Sequence, residues 1–330
     1  METLENRTLG RSGIRAGALG FGCWAIGGEW TDPAGAPLGW GRTDDEESVA
    51  AVRRALELGV TFFDTADVYG AGHSERLLGR ALRGRRAEAV IATKWGNVFD
   101  ERQKVMTGGD DSVGYARAAL LASLRRLGTD YVDLWQLHLG DADPERAALL
   151  REACEGFVRE GLIRAYGWST DDPARAAVFA RGPHCAAVQH GLNVLVDAPE
   201  MVEFCEREEL ASINRGPLAM GLLTGKYGPL SRSAAGDIRA TPPPWLDWFD
   251  AGGVPSPQWL ARVEAVREIL MSQGRTLAQG ALAWLWARSP RTVPIPGFRT
   301  VAQAEENAGA VAYGPLSAEQ LAEIGKLLGR

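Results

Sequence analysis

The chain has 330 residues, of which 45% are hydrophobic and 24% are charged, and its formal net charge is −6. This length can bury a large core as one domain or as two, and we expect a single domain over residues 1–330. The ordinary glycine and proline content excludes fibrous and disordered chains, and the mild acidity argues against a nucleic-acid binder. Because no apolar run reaches the roughly 18 residues of a membrane span and the N-terminus lacks a signal-peptide pattern, we expect a cytoplasmic protein with no membrane partner.

Short apolar runs alternate with amphipathic stretches along most of the chain. Eight runs have the composition of buried parallel strands, at residues 18–22, 61–67, 89–95, 131–138, 163–170, 186–193, 210–216 and 292–297. Helices with start signals are predicted between them, at residues 43–59, from 74 onwards, and at 112–128, 144–161, 173–181, 199–209, 257–274, 276–288 and 301–307. Eight strands alternating with helices predict an α/β fold, the (β/α)8 TIM barrel.

Two segments interrupt this alternation. Residues 7–18 contain Gly10 and Gly13, and they predict a β-hairpin that caps the bottom of the barrel. Residues 227–256 form a loop of a length that is usually functional or mobile. We expect its aromatic residues Trp245, Trp248 and Phe249 to be exposed, as a lid or an oligomer contact, with burial inside the loop as the alternative.

Three common binding-site patterns do not fit this sequence. Residues 20–25 loosely match the dinucleotide fingerprint of a doubly wound sheet, but residues 26–33 cannot open the helix that it requires. Gly225 and Lys226 do not form a phosphate loop, because Tyr227 stands where Ser or Thr would bind magnesium. The four cysteines form no CxxC pair and the histidines are not spaced as metal ligands, so we expect no metal site.

Polar residues with complementary chemistry fall at the ends of three consecutive strands, where barrel enzymes carry their catalytic groups. Asp64 and Tyr69 belong to the segment in which the second strand ends, Lys94 lies near the end of the third, and His138 ends the fourth. A buried Lys94 needs a partner such as Asp64, and its charge would lower the pKa of Tyr69 and make the phenol a general acid. His138 would orient a carbonyl oxygen. These groups suit the reduction of a carbonyl, for which a cofactor must supply the hydride.

Several sequence blocks resemble those of the aldo-keto reductases, and they occur in that family's order. The blocks are residues 63–70 (Phe-Asp-Thr-Ala-Asp-Val-Tyr-Gly) with 74–79, residues 93–96 with His138, residues 221–227, and residues 294–299 followed by Gln303, Glu306 and Asn307. The resemblance runs from about residue 9 to residue 307. It implies a (β/α)8 barrel that binds NADP(H), or less often NAD(H), across the barrel mouth.

The resemblance gives the four strand-end residues the roles derived above and adds further site residues. Trp24 and Trp95 would line the substrate mouth, with core packing as the alternative for each. Ser169 and Gln189 would hold the nicotinamide carboxamide. The implied cofactor-binding set comprises Gly22, Cys23, Trp24, Asp64, Ser169, Thr170, Gln189, Asn214, Arg215, Gly216, Pro217, Leu218, Gly221, Lys226, Gly297, Arg299, Gln303, Glu306 and Asn307.

Three positions in this set bear on the cofactor contacts. The family commonly has asparagine where this chain has Thr170, and a tyrosine that stacks on the nicotinamide where this chain has Arg215. A guanidinium can also stack on a ring, but it would disfavour the positively charged oxidised nicotinamide, so we expect tighter binding of the reduced cofactor. Arg299 offers a fork of donors suited to the 2′-phosphate of NADP, the alternative being a surface arginine at a helix start.

These observations predict an NADPH-dependent reductase of a small-molecule aldehyde or ketone. One alternative is a sugar or alcohol dehydrogenase that works in the oxidative direction with NAD. The other is a non-enzymatic subunit that senses the cofactor, as in relatives that regulate potassium channels. The substrate and the oligomeric state stay open, because neither follows from the fold.

Overall fold

The structure is a computed structural model, which describes Leu4 and residues 7–330. In chain order its strands are β1 (Arg7–Thr8), β2 (Arg15–Ala16), β3 (Gly20–Gly22), β4 (Phe62–Asp64), β5 (Val90–Trp95), β6 (Asn97–Asp100), β7 (Val105–Gly109), β8 (Val132–Leu137), β9 (Ile163–Ser169), β10 (Cys185–Gly191), β11 (Ala211–Arg215) and β12 (Thr292–Pro294). Its α-helices are α1 (Asp45–Glu57), α2 (His73–Ala81), α3 (Val113–Leu127), α4 (Pro144–Arg159), α5 (Pro173–Ala180), α6 (Pro199–Arg207), α7 (Pro257–Leu270), α8 (Leu277–Arg288), α9 (Val301–Gly309) and α10 (Ala318–Leu327).

Eight parallel strands form the wall of a barrel. Apart from the hairpins, they lie side by side in sequence order from β3 to β12. The first and last strands meet where the Gly22 N–H donates to the Pro296 carbonyl at 3.0 Å and Gly22 forms a parallel bridge with Gly297. A Cβ atom on Gly22 would lie 2.8 Å from the Ile295 carbonyl oxygen, so this closure requires glycine. The predicted (β/α)8 barrel is confirmed.

Strand alternation divides the core into two layers. One face of each strand points into the barrel, where a fully buried apolar cluster includes Phe62, Ala92, Leu134 and Ile213. The other face packs against the helices, in a larger cluster with several tryptophans. Toward the carboxyl ends of the strands the interior positions become polar, and this polar layer forms the floor of the candidate site.

The N-terminal hairpin covers one end of the barrel. Strands β1 and β2 pair antiparallel, and the fully buried Leu9 and the nearly buried Ile14 between them belong to the interior apolar cluster. A Cβ atom on Gly10 would lie 2.3 Å from the Ala186 carbonyl oxygen, at the start of β10. The predicted cap at the bottom of the barrel is therefore confirmed.

Helix starts follow the capping signals read from the sequence. Asp44, Ser112 and Asp143 accept N–H groups of the first turns of α1, α3 and α4. Gly128 ends α3 with a φ of +66°. The helix α10 and the hairpin of β6 and β7 were not predicted. None of the helices among the described residues is long and apolar enough to cross a membrane.

Residues 227–256, all of them described, contain no helix or strand and cross toward the loop that follows β3. The Ile238 N–H donates to the Gly39 carbonyl at 2.8 Å, and Trp40 forms a bridge with Asp237. These contacts place the long loop beside the mouth of the barrel.

The aromatic residues of the long loop agree only partly with the prediction of exposure. Trp245 is 64% exposed. Phe249 is buried instead, with its ring edge-on to Tyr227 at 5.2 Å, and Trp248 packs against Trp259 at 6.2 Å. The prediction is wrong for Phe249, because the loop folds its own aromatic residues inward.

Candidate active site

A buried lysine and carboxylate form the centre of the site. Lys94 is fully buried, and its Nζ donates to Asp64 Oδ2, to the Thr65 carbonyl at 2.8 Å and to Tyr69 Oη at 3.2 Å. All three ammonium protons therefore have acceptors. Burial by itself would lower the pKa of Lys94, but Asp64 and Tyr69 outweigh it and hold that pKa above its ordinary value. Lys94 is thus a charged group with a fixed position.

The second carboxylate oxygen of Asp64 accepts hydrogen bonds from two side-chain amides. Gln136 Nε2 donates to Asp64 Oδ1 at 3.0 Å, and Gln189 Nε2 donates to the same atom at 2.7 Å. The amide nitrogen of Gln189 thus faces Asp64, and its contact with a carboxamide stays a prediction. Sequence reasoning missed Gln136 as a site residue, although it lies two positions before His138 and so on the same face of its strand.

Tyr69 stands above this pair between two aromatic rings. Trp24 stacks against it at 5.9 Å, and His138 lies edge-on at 5.8 Å. Because Lys94 donates to the phenol oxygen, the phenol proton is left for another acceptor. Burial raises the pKa of Tyr69 despite the nearby Lys94. The expected net lowering is therefore wrong, and Tyr69 keeps its proton through the neutral range, as an acid must before it reacts.

A left-handed turn fixes the position of Tyr69. Gly70, Ala71 and Gly72 have φ values of +59°, +53° and +85°, and α2 begins at the next residue. A Cβ atom on Gly70 would lie 1.9 Å from the Gly27 carbonyl oxygen, so only glycine allows this close approach. The Tyr-Gly sequence of the motif is thus a requirement of the backbone as well as of the chemistry.

His138 lies half-buried at the end of β8, on the interior face. Burial, with Lys94 and Arg215 nearby, holds the pKa of His138 well below its usual range, so the imidazole is neutral. Its Nδ1 is buried and has no hydrogen-bond partner among the described residues. A neutral ring with an unused nitrogen suits a ligand oxygen at this point.

A strained loop follows β11 and lies beside two cations. Ala219, Met220 and Gly221 have φ values of +48°, +51° and +98°, a conformation that non-glycine residues adopt at a cost and that clusters at functional sites. A Cβ atom on Gly221 would lie 3.3 Å from both Lys226 Nζ and Arg239 Nη1.

The charge around this loop is positive. The buried Arg239 pairs with Asp237 and donates to the Met220 carbonyl at 2.9 Å. Partial desolvation, with Arg239 and then Arg299, lowers the pKa of Lys226 to about 8. Three cations beside one carboxylate form a site for an anion. Sequence reasoning missed Arg239, which lies in the long loop without any motif around it.

Trp40 links these cations to the aromatic side of the mouth. Its ring faces the Arg239 guanidinium at 4.4 Å and lies edge-on to Trp24 at 5.4 Å. Its carbonyl accepts a hydrogen bond from Arg299 Nη1 at 3.0 Å. Sequence reasoning also missed Trp40, whereas the predicted Trp24 lies beside Tyr69 and its contact with substrate stays a prediction.

The predicted C-terminal block forms one structural unit at the start of α9. Gln303 Oε1 accepts the Arg299 N–H at 2.8 Å, and Asn307 Nδ2 donates to the Gly297 carbonyl at 3.4 Å. The carbonyl of Glu306 accepts from Gln279 Nε2 at 3.0 Å. The block thus holds Arg299 near Trp40 and Lys226.

Two residues of the predicted site face away from the mouth. Trp95 is fully buried and stacks on Trp135 at 6.1 Å, in the layer between the strands and the helices. Asn214 is also fully buried, and its Nδ2 donates to Ser212 Oγ at 2.9 Å. Each directly neighbours an interior residue of its strand and therefore points outward. The structure corrects the assignment of Trp95 to substrate and of Asn214 to cofactor.

Two further predicted residues have their polar groups engaged elsewhere. The Cys23 side chain is fully buried, its N–H donates to the Asp64 carbonyl at 2.8 Å, and its own carbonyl accepts from Ser74 Oγ at 2.7 Å. Thr170 Oγ1 donates to the Gly140 carbonyl at 2.7 Å. These hydrogen bonds hold both residues in the wall of the site, and their cofactor contacts stay predictions.

The remaining predicted residues lie along the rim of the mouth. Ser169 ends β9 on the interior face, and Arg215 ends β11. Gly216, Pro217 and Leu218 follow directly and lead into the strained loop. The structure therefore brings two groups to the same end of the barrel. One consists of Tyr69, Lys94 and Asp64, and the other is the cation cluster.

This arrangement can be compared with known proteins. Residues 18–328 match the sequence model of the Aldo/keto reductase family. The chain belongs to the aldo/keto reductase family. This confirms the resemblance seen in the sequence and makes the protein an oxidoreductase that acts on carbonyl or alcohol groups.

This aldo/keto reductase is similar to proteins from plants and bacteria. It is 32% identical to the chloroplastic pyridoxal reductase of Arabidopsis thaliana over 325 residues, covering 92% of this chain and 81% of that protein. The glycerol dehydrogenase of Gluconobacter oxydans has a TM-score of 0.81 at 26% identity, over 99% of this chain and 95% of that one. An aldo/keto reductase of Klebsiella pneumoniae, in complex with NADP and acetate, has a TM-score of 0.70 at 26% identity, over 98% and 95% of the two chains.

Proposed function

We propose that this aldo/keto reductase reduces an aldehyde or ketone to the alcohol with NADPH, and that Tyr69 donates the proton. The observation that carries the proposal is the hydrogen bond from Lys94 Nζ to Tyr69 Oη at 3.2 Å, with Lys94 itself held by Asp64. The complex of the Klebsiella pneumoniae relative with NADP supports the choice of cofactor. We further propose that residues 1–330 act as one domain.

The residues around Tyr69 fit a carbonyl group. NADPH supplies a hydride to the carbonyl carbon when it is bound. A carbonyl oxygen beside Tyr69 would accept the phenol proton and a hydrogen bond from the neutral His138. As Tyr69 loses its proton, the Lys94 ammonium stabilises the phenolate through the hydrogen bond that it already makes. Trp24 covers one side of Tyr69 and limits the access of water.

The cation cluster fits the phosphates of the cofactor. Lys226 and Arg239 adjoin the strained loop, and Arg299 is held near both by the start of α9. A 2′-phosphate would give Arg299 a charged acceptor, whereas the 2′-hydroxyl of NADH would not.

Replacing Arg299 by glutamine is therefore expected to weaken NADPH binding by about 10- to 100-fold, because a charge-assisted hydrogen bond is lost. NADH binding should change by less than about threefold, since NADH lacks the phosphate. The measurement is the quenching of protein fluorescence by each cofactor. Arg291→Gln, a change at the amino-terminal side of β12, is the control, and equal losses for the two cofactors would contradict the assignment.

Cofactor affinity is also expected to depend on pH through Lys226. Its pKa is about 8 in the free protein, and a bound phosphate raises the pKa of a neighbouring ammonium. Binding then takes up a proton above this pH, so the Kd for NADPH should rise as the pH increases beyond about 8, by up to tenfold for each pH unit. Lys226→Arg, which stays charged, should remove this dependence, and a wild-type Kd that is constant to about pH 9.5 would refute it.

The direct test of the proposed function is the oxidation of NADPH, followed by its absorbance, with a panel of aromatic, aliphatic and sugar aldehydes. We expect turnover with some of them and a preference for NADPH over NADH. If the protein binds NADPH tightly but turns over none of these carbonyls, the proposal fails. The cofactor-sensing alternative would then be favoured.

Oxidation of an alcohol is the second candidate function. The likeness to the glycerol dehydrogenase of Gluconobacter oxydans favours it. The same assay with polyols and the oxidised cofactors tests this direction. Without a compensating anion, the positive charge of Arg215 near the site would oppose a cationic nicotinamide and so disfavour this direction.

A further inference from the structure

An ion pair joins the ends of β9 and β11 at the rim of the mouth. Asp171 Oδ1 accepts the Gly191 N–H at 2.8 Å, and Asp171 Oδ2 accepts a hydrogen bond from Arg215 Nη2. Arg215 Nη1 lies 3.1 Å from the position that a Cβ atom on Gly191 would take. The guanidinium therefore lies across the end of β10, and the missing side chain of Gly191 leaves space for it.

The charge of Arg215 reaches the reacting groups. It is one of the two cations that lower the pKa of His138, after burial, and it also acts on Tyr69. Arg215 occupies the position at which the family commonly stacks a tyrosine on the nicotinamide. If the proposed function is correct, on which this inference rests, a cation lies against the cofactor ring.

A free guanidinium at this place would strongly repel the oxidised nicotinamide, which carries a positive charge, and would leave the neutral reduced ring unaffected. Arg215 is not free, because Asp171 is bound to it. Both side chains are partly open, with 41% of Arg215 and 63% of Asp171 exposed, so the pair belongs to the mouth and not to the core. The pair therefore contributes little to the packing of the core.

We propose that Asp171 sets the relative affinity of the site for NADP+ and NADPH by compensating the charge of Arg215. The carboxylate brings the net charge of the pair close to zero, so the oxidised cofactor is tolerated more than Arg215 alone would allow. Asp171 then influences the balance between the two redox states of the cofactor without touching the substrate.

The two members of the pair should have opposite effects when their charges are removed one at a time. Asp171→Asn should raise the ratio of the Kd for NADP+ to the Kd for NADPH by about threefold to tenfold, because the guanidinium is left uncompensated. Arg215→Gln should lower that ratio by a similar factor, and the double variant should return to within about twofold of the wild type. The effects should shrink as the salt concentration rises.

The next residue offers a matched control. Asp172 accepts the Ala174 N–H at 2.8 Å as the N-cap of α5 and makes no ion pair with Arg215. Asp172→Asn removes the same charge from the next residue, which does not pair with Arg215, and keeps the cap, since asparagine caps helices equally well. In this variant the ratio of the Kd for NADP+ to the Kd for NADPH should stay within about twofold of the wild type.

The constants are measured by titration without any carbonyl substrate, so the result does not depend on turnover. If Asp171→Asn lowers the ratio as Arg215→Gln does, Asp171 acts only by holding the guanidinium in place, and the inference is wrong. Unchanged ratios in both single variants would also overturn it. Opposite shifts in a protein that turns over no carbonyl would uphold the inference and reject the proposed function, whereas a protein that binds neither cofactor would reject both.

Discussion

Replacing Tyr69 by phenylalanine is expected to lower kcat for carbonyl reduction by about 100- to 10,000-fold, while the Kd for NADPH stays within about twofold. The phenol is the proton donor in the proposed reaction, and its oxygen is held by Lys94 at 3.2 Å. Phenylalanine keeps the ring that stacks on Trp24 and meets His138 edge-on, so the walls of the mouth should survive the change. The measurement is steady-state NADPH oxidation together with cofactor titration.

The control for this variant is Tyr313→Phe. The Tyr313 hydroxyl donates to the Gly274 carbonyl at 3.2 Å, in the segment before α10 and away from the mouth. This variant also loses one phenol hydroxyl, and it should keep the activity of the wild type. A loss of less than about tenfold in Tyr69→Phe would show that another group supplies the proton.

Replacing Lys94 by methionine is expected to abolish turnover and to lower the free energy of unfolding by about 3–5 kcal/mol. The carboxylate of Asp64 would stay buried without its cation, in a layer that is almost closed to water. The two amides of Gln136 and Gln189 bind its other oxygen but cannot neutralise its charge. Urea denaturation followed by circular dichroism measures the loss.

The double variant Lys94→Met, Asp64→Asn separates charge from packing. Asparagine can still accept the hydrogen bonds that the amides of Gln136 and Gln189 donate. Neither of the two positions then carries a buried charge. Most of the lost stability should return, because unpaired burial of the carboxylate causes it, whereas turnover should stay absent. Equal stability of the single and double variants would contradict this account of the ion pair.

The fold could be predicted because two signals in the sequence are local. Buried parallel strands are continuous apolar runs, and residues such as Asp44 and Ser112 announce helix starts. The hairpin of β6 and β7 carried no such signal, and its edge pairs with Thr31 of another loop. The helix α10 did carry one, a capping box of Ser317 and Gln320, which sequence reasoning passed over.

The site was predicted as far as it depends on strand ends. Asp64 and Lys94 follow from the rule that barrel enzymes carry their catalytic groups there. Side chains alternate between the two faces of a strand, so the neighbour of an interior residue points outward. This rule would have excluded Trp95, the neighbour of Lys94, and also Asn214 from the predicted site. Arg239 could not have been found in this way, because only tertiary pairing of two loops brings it to Trp40.

The closure of the barrel at Gly22 and Gly297 has a consequence for folding. Strand β3 can pair with β4 early, but its other edge finds a partner only after the chain beyond β12 has been synthesised. Contacts of such long sequence separation slow folding, and an unpaired strand edge is a template for aggregation in the meantime. Trp24 follows the first barrel strand and Arg299 follows the last, so the substrate wall and the phosphate site are joined only in this final step. A chain that ends before β12 should therefore lack the site.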